Sequence, residues 1–398
     1  MFSFLKPKRQ WFVLTCLALA CASITLPSLF ARSLGRGPSS HQHQDHSHSP
    51  KVPSSAARIQ LAILLDTSSS MSGLIHQARE HLWSIVNTFS NCHVDDGDPT
   101  LEVSLFEYGN SGLSESNGYI RQITPFTRDL DLLSDQLFSL TTNGGSEHCG
   151  EVIEEALHHL TWNPSSSTYR AMFIAGNEPF TQGSVPWNQS CRRASDRNVI
   201  VNTIFCGDHQ EGIRTTWKDG AIMAKGTYLS IDHNHKSSYV KAPQDDQIST
   251  LSSQLNDTYI QYGFKGKANK ERQIRQDRLS RETSMGSFLS RAVSKSSSIY
   301  NNTAWDLVDA NEQKEVEFND ELRQTLAPEL RSKSDDELKA HVSEMSDKRK
   351  KIQAEIQTLQ VERTKWLAQQ TSKNDSEGLG HAIIKAIKEQ ATDKGIRF

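Results

Sequence analysis

Residues 58–73 read Arg-Ile-Gln-Leu-Ala-Ile-Leu-Leu-Asp-Thr-Ser-Ser-Ser-Met-Ser-Gly. Ile59 to Leu65 is a short, nearly continuous apolar run, the pattern of a strand buried on both faces. It ends in one carboxylate and a string of hydroxyls, Asp66 to Ser70. A helix pattern follows, with Leu74, Ala78, Leu82, Ile85, Val86 and Phe89 on one side at steps of three and four. A buried strand, a polar loop and an amphipathic helix make the opening unit of a parallel α/β sheet.

Downstream the alternation repeats. Strands are predicted at 101–108, 119–123, 169–175, 199–206 and 227–231, and helices at 129–140, 149–160, 187–197, 213–224 and 244–260. The run at 119–123 follows a Gly-rich turn and suits an antiparallel edge. The expected fold class is α/β, with a Rossmann-like, mostly parallel sheet and helices on both faces. Ligands collect at the carboxyl ends of such strands, which puts Asp66, Ser68 and Ser70 at the mouth of the sheet. Hard oxygen donors of this kind suit magnesium or another hard divalent ion.

An apolar strand ending in Asp-x-Ser-x-Ser before an amphipathic helix resembles the metal-ion-dependent adhesion site (MIDAS) of von Willebrand factor type A (VWA) domains. The order of elements from Arg58 to about Gly263, roughly half the chain, is similar to that family. The resemblance implies Asp66, Ser68 and Ser70 as metal ligands. It also implies a hydroxyl from the loop at 141–148, where Ser146 follows Gly144 and Gly145 and Thr142 is a nearby alternative. The family's third loop presents an aspartate just past the next buried strand. Here that position is Gly176, followed by Asn177 and Glu178, either of which could reach the metal or a coordinating water. The implied cofactor is Mg2+, or Mn2+ or Ca2+, and the implied activity is binding. An ion held mainly by neutral hydroxyls stays electrophilic and accepts an acidic residue of a protein partner. No paired general base accompanies the loops, and His148 reads as a surface residue, so a binding module rather than an enzyme is expected. The alternative is a metal-dependent hydrolase or metal-handling protein using the same mouth.

The 398 residues suit about two domains, and a net charge of -3 excludes a strongly basic nucleic-acid binder. Residues 1–31 read as an export leader or N-terminal membrane anchor: Lys6, Lys8 and Arg9 precede an uncharged apolar run at 11–22. Cleavage after Ala22 or Ala31, lipidation at Cys21 and an uncleaved anchor all fit. The expected location is therefore the envelope of a bacterial-type cell: periplasmic, envelope-associated or secreted. Residues 32–57 form a Ser/His-rich linker in which His41, His43, His46 and His48 could capture zinc or copper.

Four cysteines fall in the 58–263 domain. The element order places Cys191 and Cys206 at the same end, so a Cys191–Cys206 disulfide is predicted, with Cys92 at the opposite end. In the helical, charged region 264–398, the basic stretch 265–291 reads as a solvated helix rather than a nucleic-acid surface. A capping box at 334–337 starts a long helix, along which Leu338, Met345, Ile352, Leu359 and Trp366 recur every seven residues. Val342 and Ile356 fill the second row of this seam, and Arg349 and Arg363 interrupt it. Such a tail has coiled-coil character: it either self-associates or lies on a helix predicted at 312–326 of its own chain.

Overall fold

The computed structural model describes residues 58–90, 92, 99–234, 239–370 and 379–397; the leader and the His-rich linker lie outside the described residues. Period-two alternation divides the first strand between two apolar cores. β1 (Arg58–Asp66) sends Ile59, Leu61 and Leu65 into one core and Ala62 and Leu64 into the other. β4 (Tyr169–Gly176) divides in the same way, with Phe173 and Ala175 on the first face and Met172 and Ile174 on the second. Together with β2 (Thr100–Tyr108), β3 (Ile120–Thr127), β5 (Ile200–Cys206) and β6 (Tyr228–Ile231) they form one sheet in the order β3-β2-β1-β4-β5-β6. All pairs are parallel except β2 with β3, the antiparallel edge.

On the second face lie α3 (Cys149–His159), α4 (Trp187–Asp196) and α6 (Trp217–Met223), whose Val152, Ile153, Cys191 and Trp217 fill that core. The single helix expected at 213–224 is two, α5 (His209–Arg214) and α6, because Thr216 between them turns left-handed at φ 69°. On the first face lie α1 (Ser72–Ser90), α2 (Leu130–Ser139) and α7 (Asp245–Asn256).

The C-terminal region packs into the same core. α8 (Gly266–Thr283) is not a solvated helix: Gln273, Gln276 and Ser280 are buried, and Arg272 and Arg275 pair with Asp129 and Asp135 beside α2. α9 (Met285–Lys295) lies along α1, burying Phe288 and Leu289. After α10 (Leu307–Glu312), α11 (Asp320–Thr325) and α12 (Pro328–Arg331) comes α13 (Asp335–Gln370). Its capping box forms as expected: Glu337 accepts from the Ser334 backbone N–H at 2.8 Å. Its apolar seam is covered within the chain, by α7, α9 and α10. The arginines that interrupt the heptad are part of this contact: Arg349 reaches Asp306 at 2.6 Å, and Arg363 reaches Asp245 at 2.6 Å.

The last helix, α14 (Leu379–Thr392), buries Leu379, Ile383 and Ile387 in the first-face core, each side chain contributing about 1.5–3 kcal/mol. Its Gln390 accepts a hydrogen bond of 2.8 Å from the Tyr169 hydroxyl.

The predicted Cys191–Cys206 disulfide is corrected. Cys92, Cys149, Cys191 and Cys206 are all free and buried. Cys206 shares the first-face core with Ile204, whereas Cys191 lies in the second-face core with Cys149, so the sheet stands between the proposed partners.

Candidate metal centre

Alternation along β1 sends Asp66 to the side of Ala62 and Leu64, at the carboxyl end of the central strand, where it is fully buried. The chain then turns. The Ser68 backbone N–H donates to Asp66 Oδ1 at 2.7 Å, the Ser68 and Ser70 hydroxyls lie 3.2 Å apart, and Ser70 donates to Asn177 Oδ1 at 3.4 Å. Thr67 points the other way, donating to Glu107 at 3.2 Å. The predicted trio Asp66, Ser68 and Ser70 is thus brought together, with Ser68 buried and Ser70 exposed at the rim.

The loop at 141–148 is stitched beside it by backbone bonds from Asn143 N to Thr67 O at 3.0 Å and from Ser111 N to Gly144 O at 2.6 Å. Ser146 is half-buried on this loop. The next residue goes deeper. Glu147 is 4% exposed, and its carboxyl interacts with Ser68 and with the carboxyl of Asp66. Gly109, at φ 76°, makes room for this approach: a β-carbon there would stand 2.7 Å from Glu147 Cγ and 2.8 Å from Asp66 Oδ1.

Burial pushes both carboxyls above the usual carboxylate range. For Glu147 the neighbouring Asp66 charge adds to the effect, and for Asp66 the charge of Glu178 does so. Asp66 Oδ2 and Glu147 Oε2 are buried with no hydrogen-bond partner. Two carboxyls in such contact need either a shared proton or a cation between them. Among the described residues no group of three or more His, Cys, Asp or Glu is placed to hold a metal. The polar atoms gathered at this rim are two carboxyls and serine hydroxyls, an all-oxygen set of the kind suited to hard divalent ions.

The third-loop position is occupied by structure. A β-carbon on Gly176 would lie 2.5 Å from the Tyr108 hydroxyl and 3.2 Å from Asp66 Oδ2. Tyr108 Oη donates to the Ala175 carbonyl at 3.0 Å and fills the space an aspartate would need. His148 is engaged elsewhere: its Nδ1 is 2.6 Å from Glu151, which also accepts from Ser184. Sequence reasoning missed Glu147 and Tyr108. Glu147 had a signal, an acidic residue directly after Ser146 in the Gly-Gly loop; Tyr108 had none.

The strand order, the antiparallel edge and Asp66-x-Ser-x-Ser at the end of the central strand give the α/β domain a von Willebrand factor type A fold. Among solved structures, the chain is similar to the conserved hypothetical protein BatB from Bacteroides thetaiotaomicron, at 16% identity and TM-score 0.33, over 44% of this chain and 90% of that one. It is also similar to the SpRpn10 VWA domain, at 17% identity and TM-score 0.34, over 43% of this chain and 87% of that one. A third is proximal thread matrix protein 1 from the mussel byssus with zinc-occupied MIDAS motif, at 14% identity and TM-score 0.33, over 44% of this chain and 42% of that one. No family model matches the chain, and no curated protein does.

Proposed function

We propose that this chain is a metal-ion-dependent adhesion or scaffold module of the cell envelope that captures an acidic group of a protein partner. The observation that carries this reading is Asp66: fully buried, with Oδ2 lacking a hydrogen-bond partner, and bonded through Oδ1 to the backbone of Ser68, whose hydroxyl pairs with that of Ser70 at the solvent-exposed rim. Asp66, Ser68, Ser70 and Ser146 would hold the divalent ion, Mg2+ or alternatively Mn2+ or Ca2+. When bound, the ion supplies an electrophilic centre for a partner's carboxylate. The residues themselves orient it, with the Ser68 backbone holding Asp66 Oδ1 and Asn177 holding Ser70.

Placement in the envelope rests on the leader-like residues 1–31, and among the described residues no helix is long and apolar enough to cross a membrane. The test is capture of partners from an envelope extract in magnesium, in EDTA, and with Asp66→Ala. Proteins retained only by the unaltered chain in magnesium are expected; an identical set in all three samples would sink the proposal.

A further inference from the structure

The Asp66–Glu147 contact carries more than the family resemblance does. We infer that Glu147, rather than a third-loop residue, is the second anionic ligand of the ion, replacing the carboxylate that Gly176 cannot supply. This rests on the metal-binding reading above and adds a ligand to it.

The geometry supports it from both sides of the rim. On the third loop, Tyr108 occupies the space beside Gly176, so an aspartate at that position would have to move a buried tyrosine, and the carboxyl that this loop does carry, Glu178, is half-buried where that of Glu147 is buried. On the second loop, Glu147 is 4% exposed and turned inward onto Asp66 and Ser68, with Oε2 unpartnered. A buried carboxylate normally collects backbone N–H groups or a cation. Elsewhere in this chain that rule holds: Glu107 is 1% exposed and is bonded by Arg121 Nε at 2.6 Å and by the Thr67 hydroxyl at 3.2 Å. Asp66 and Glu147 instead face each other, two potential negative charges in contact with no basic side chain bonded to either. A divalent ion held between the two carboxyls would neutralise the pair.

A ligand and a merely structural carboxyl differ in what their removal does. If Glu147 serves the ion, the isosteric Glu147→Gln relieves the carboxylate pair, so the metal-free chain melts at the same or a higher temperature while ion binding is lost. If Glu147 is structural, the same substitution lowers the metal-free melting temperature.

The experiment is titration of the full chain with MgCl2 and with MnCl2 by calorimetry, alongside thermal melts in EDTA, for the unaltered chain, Glu147→Gln and Ser146→Ala. Expected are binding by the unaltered chain, a weakening of at least about tenfold in Glu147→Gln, a smaller loss in Ser146→Ala, and no drop in the EDTA melting temperature of Glu147→Gln. Two results overturn the role of Glu147 and leave the metal site standing: ion binding by Glu147→Gln within about twofold of the unaltered chain, or a lowered EDTA melt. Absence of any heat with the unaltered chain overturns the metal-binding reading itself.

Discussion

Two buried clusters of charge in this molecule are built on opposite rules. Beneath α8 and α9, Arg291 and Lys295 meet Asp131 and Asp277. Arg291 Nη1 to Asp131 is 2.6 Å, Arg291 Nε to Asp277 is 2.5 Å, and Lys295 to Asp277 is 2.9 Å. The remaining valences are filled as well: the Tyr300 hydroxyl donates to Asp131 at 2.6 Å, Asn256 donates to Asp277 at 2.7 Å, and Arg291 lies over the Trp83 ring. At the rim of the sheet, Asp66 and Glu147 are as deeply buried, bond to no cation, and keep one oxygen each without a partner. The first cluster is complete by itself and serves the fold. The second is left with either a shared proton or an added cation to hold it together, and that difference is why we propose it as the site.

The largest expected effect comes from breaking the complete cluster. Arg291→Met leaves Asp131 and Asp277 short of a cation and should cost about 3–5 kcal/mol in urea unfolding. A loss below about 1 kcal/mol would mean that the network is far weaker than its geometry implies. Glu147→Gln, at the other cluster, is expected not to destabilise the metal-free chain.

A smaller effect is expected from crowding the incomplete site. Gly176→Ala drives a β-carbon against the Tyr108 hydroxyl and should cost about 1–3 kcal/mol. Tyr108→Phe removes that oxygen, so the double substitution should recover part of the loss. Strict additivity of the two changes in thermal melts would place the strain elsewhere.

The subtlest contrast is in pH dependence. Asp66 and Glu147 have carboxyls raised above their unfolded values by burial. Between the unfolded and folded values the native state holds more protons, so metal-free stability falls as pH rises above the ordinary carboxylate range. Asp277 is shifted the other way: Lys295 and Arg291 outweigh its burial and hold its carboxyl well below that range. Its contribution is fully present above the unfolded value and is lost as pH falls below it. Denaturation in EDTA across pH should show both limbs, and Glu147→Gln should flatten only the alkaline one.

Much of the fold was legible because its signals are local. The parity of Ile59, Leu61 and Leu65 against Ala62 and Leu64 is written in adjacent residues, and it carries Asp66 to the mouth of the sheet. The third-loop departure at Gly176 was equally visible. The cysteines misled because bridging depends on which face each thiol takes, and the parity of Cys206 with Ile204 sets it against Cys191 across the sheet. Arg349 and Arg363 looked like faults in a heptad; their acids, Asp306 and Asp245, stand 43 and 118 positions away in sequence. The basic look of 265–291 misled for the same reason, since Arg272, Arg275 and Arg291 find aspartates around α2.

Sequence alone therefore determined the alternating α/β order, the position of the hydroxyl-rich loop and the start of the long C-terminal helix, because periodicity and capping act between residues a few positions apart. Only the tertiary structure decided which buried charges are answered and which are not, and so set a structural ion network apart from the proposed metal site. Whether a charge is compensated depends on what stands within a few ångströms of it in space, and chain order does not record that distance.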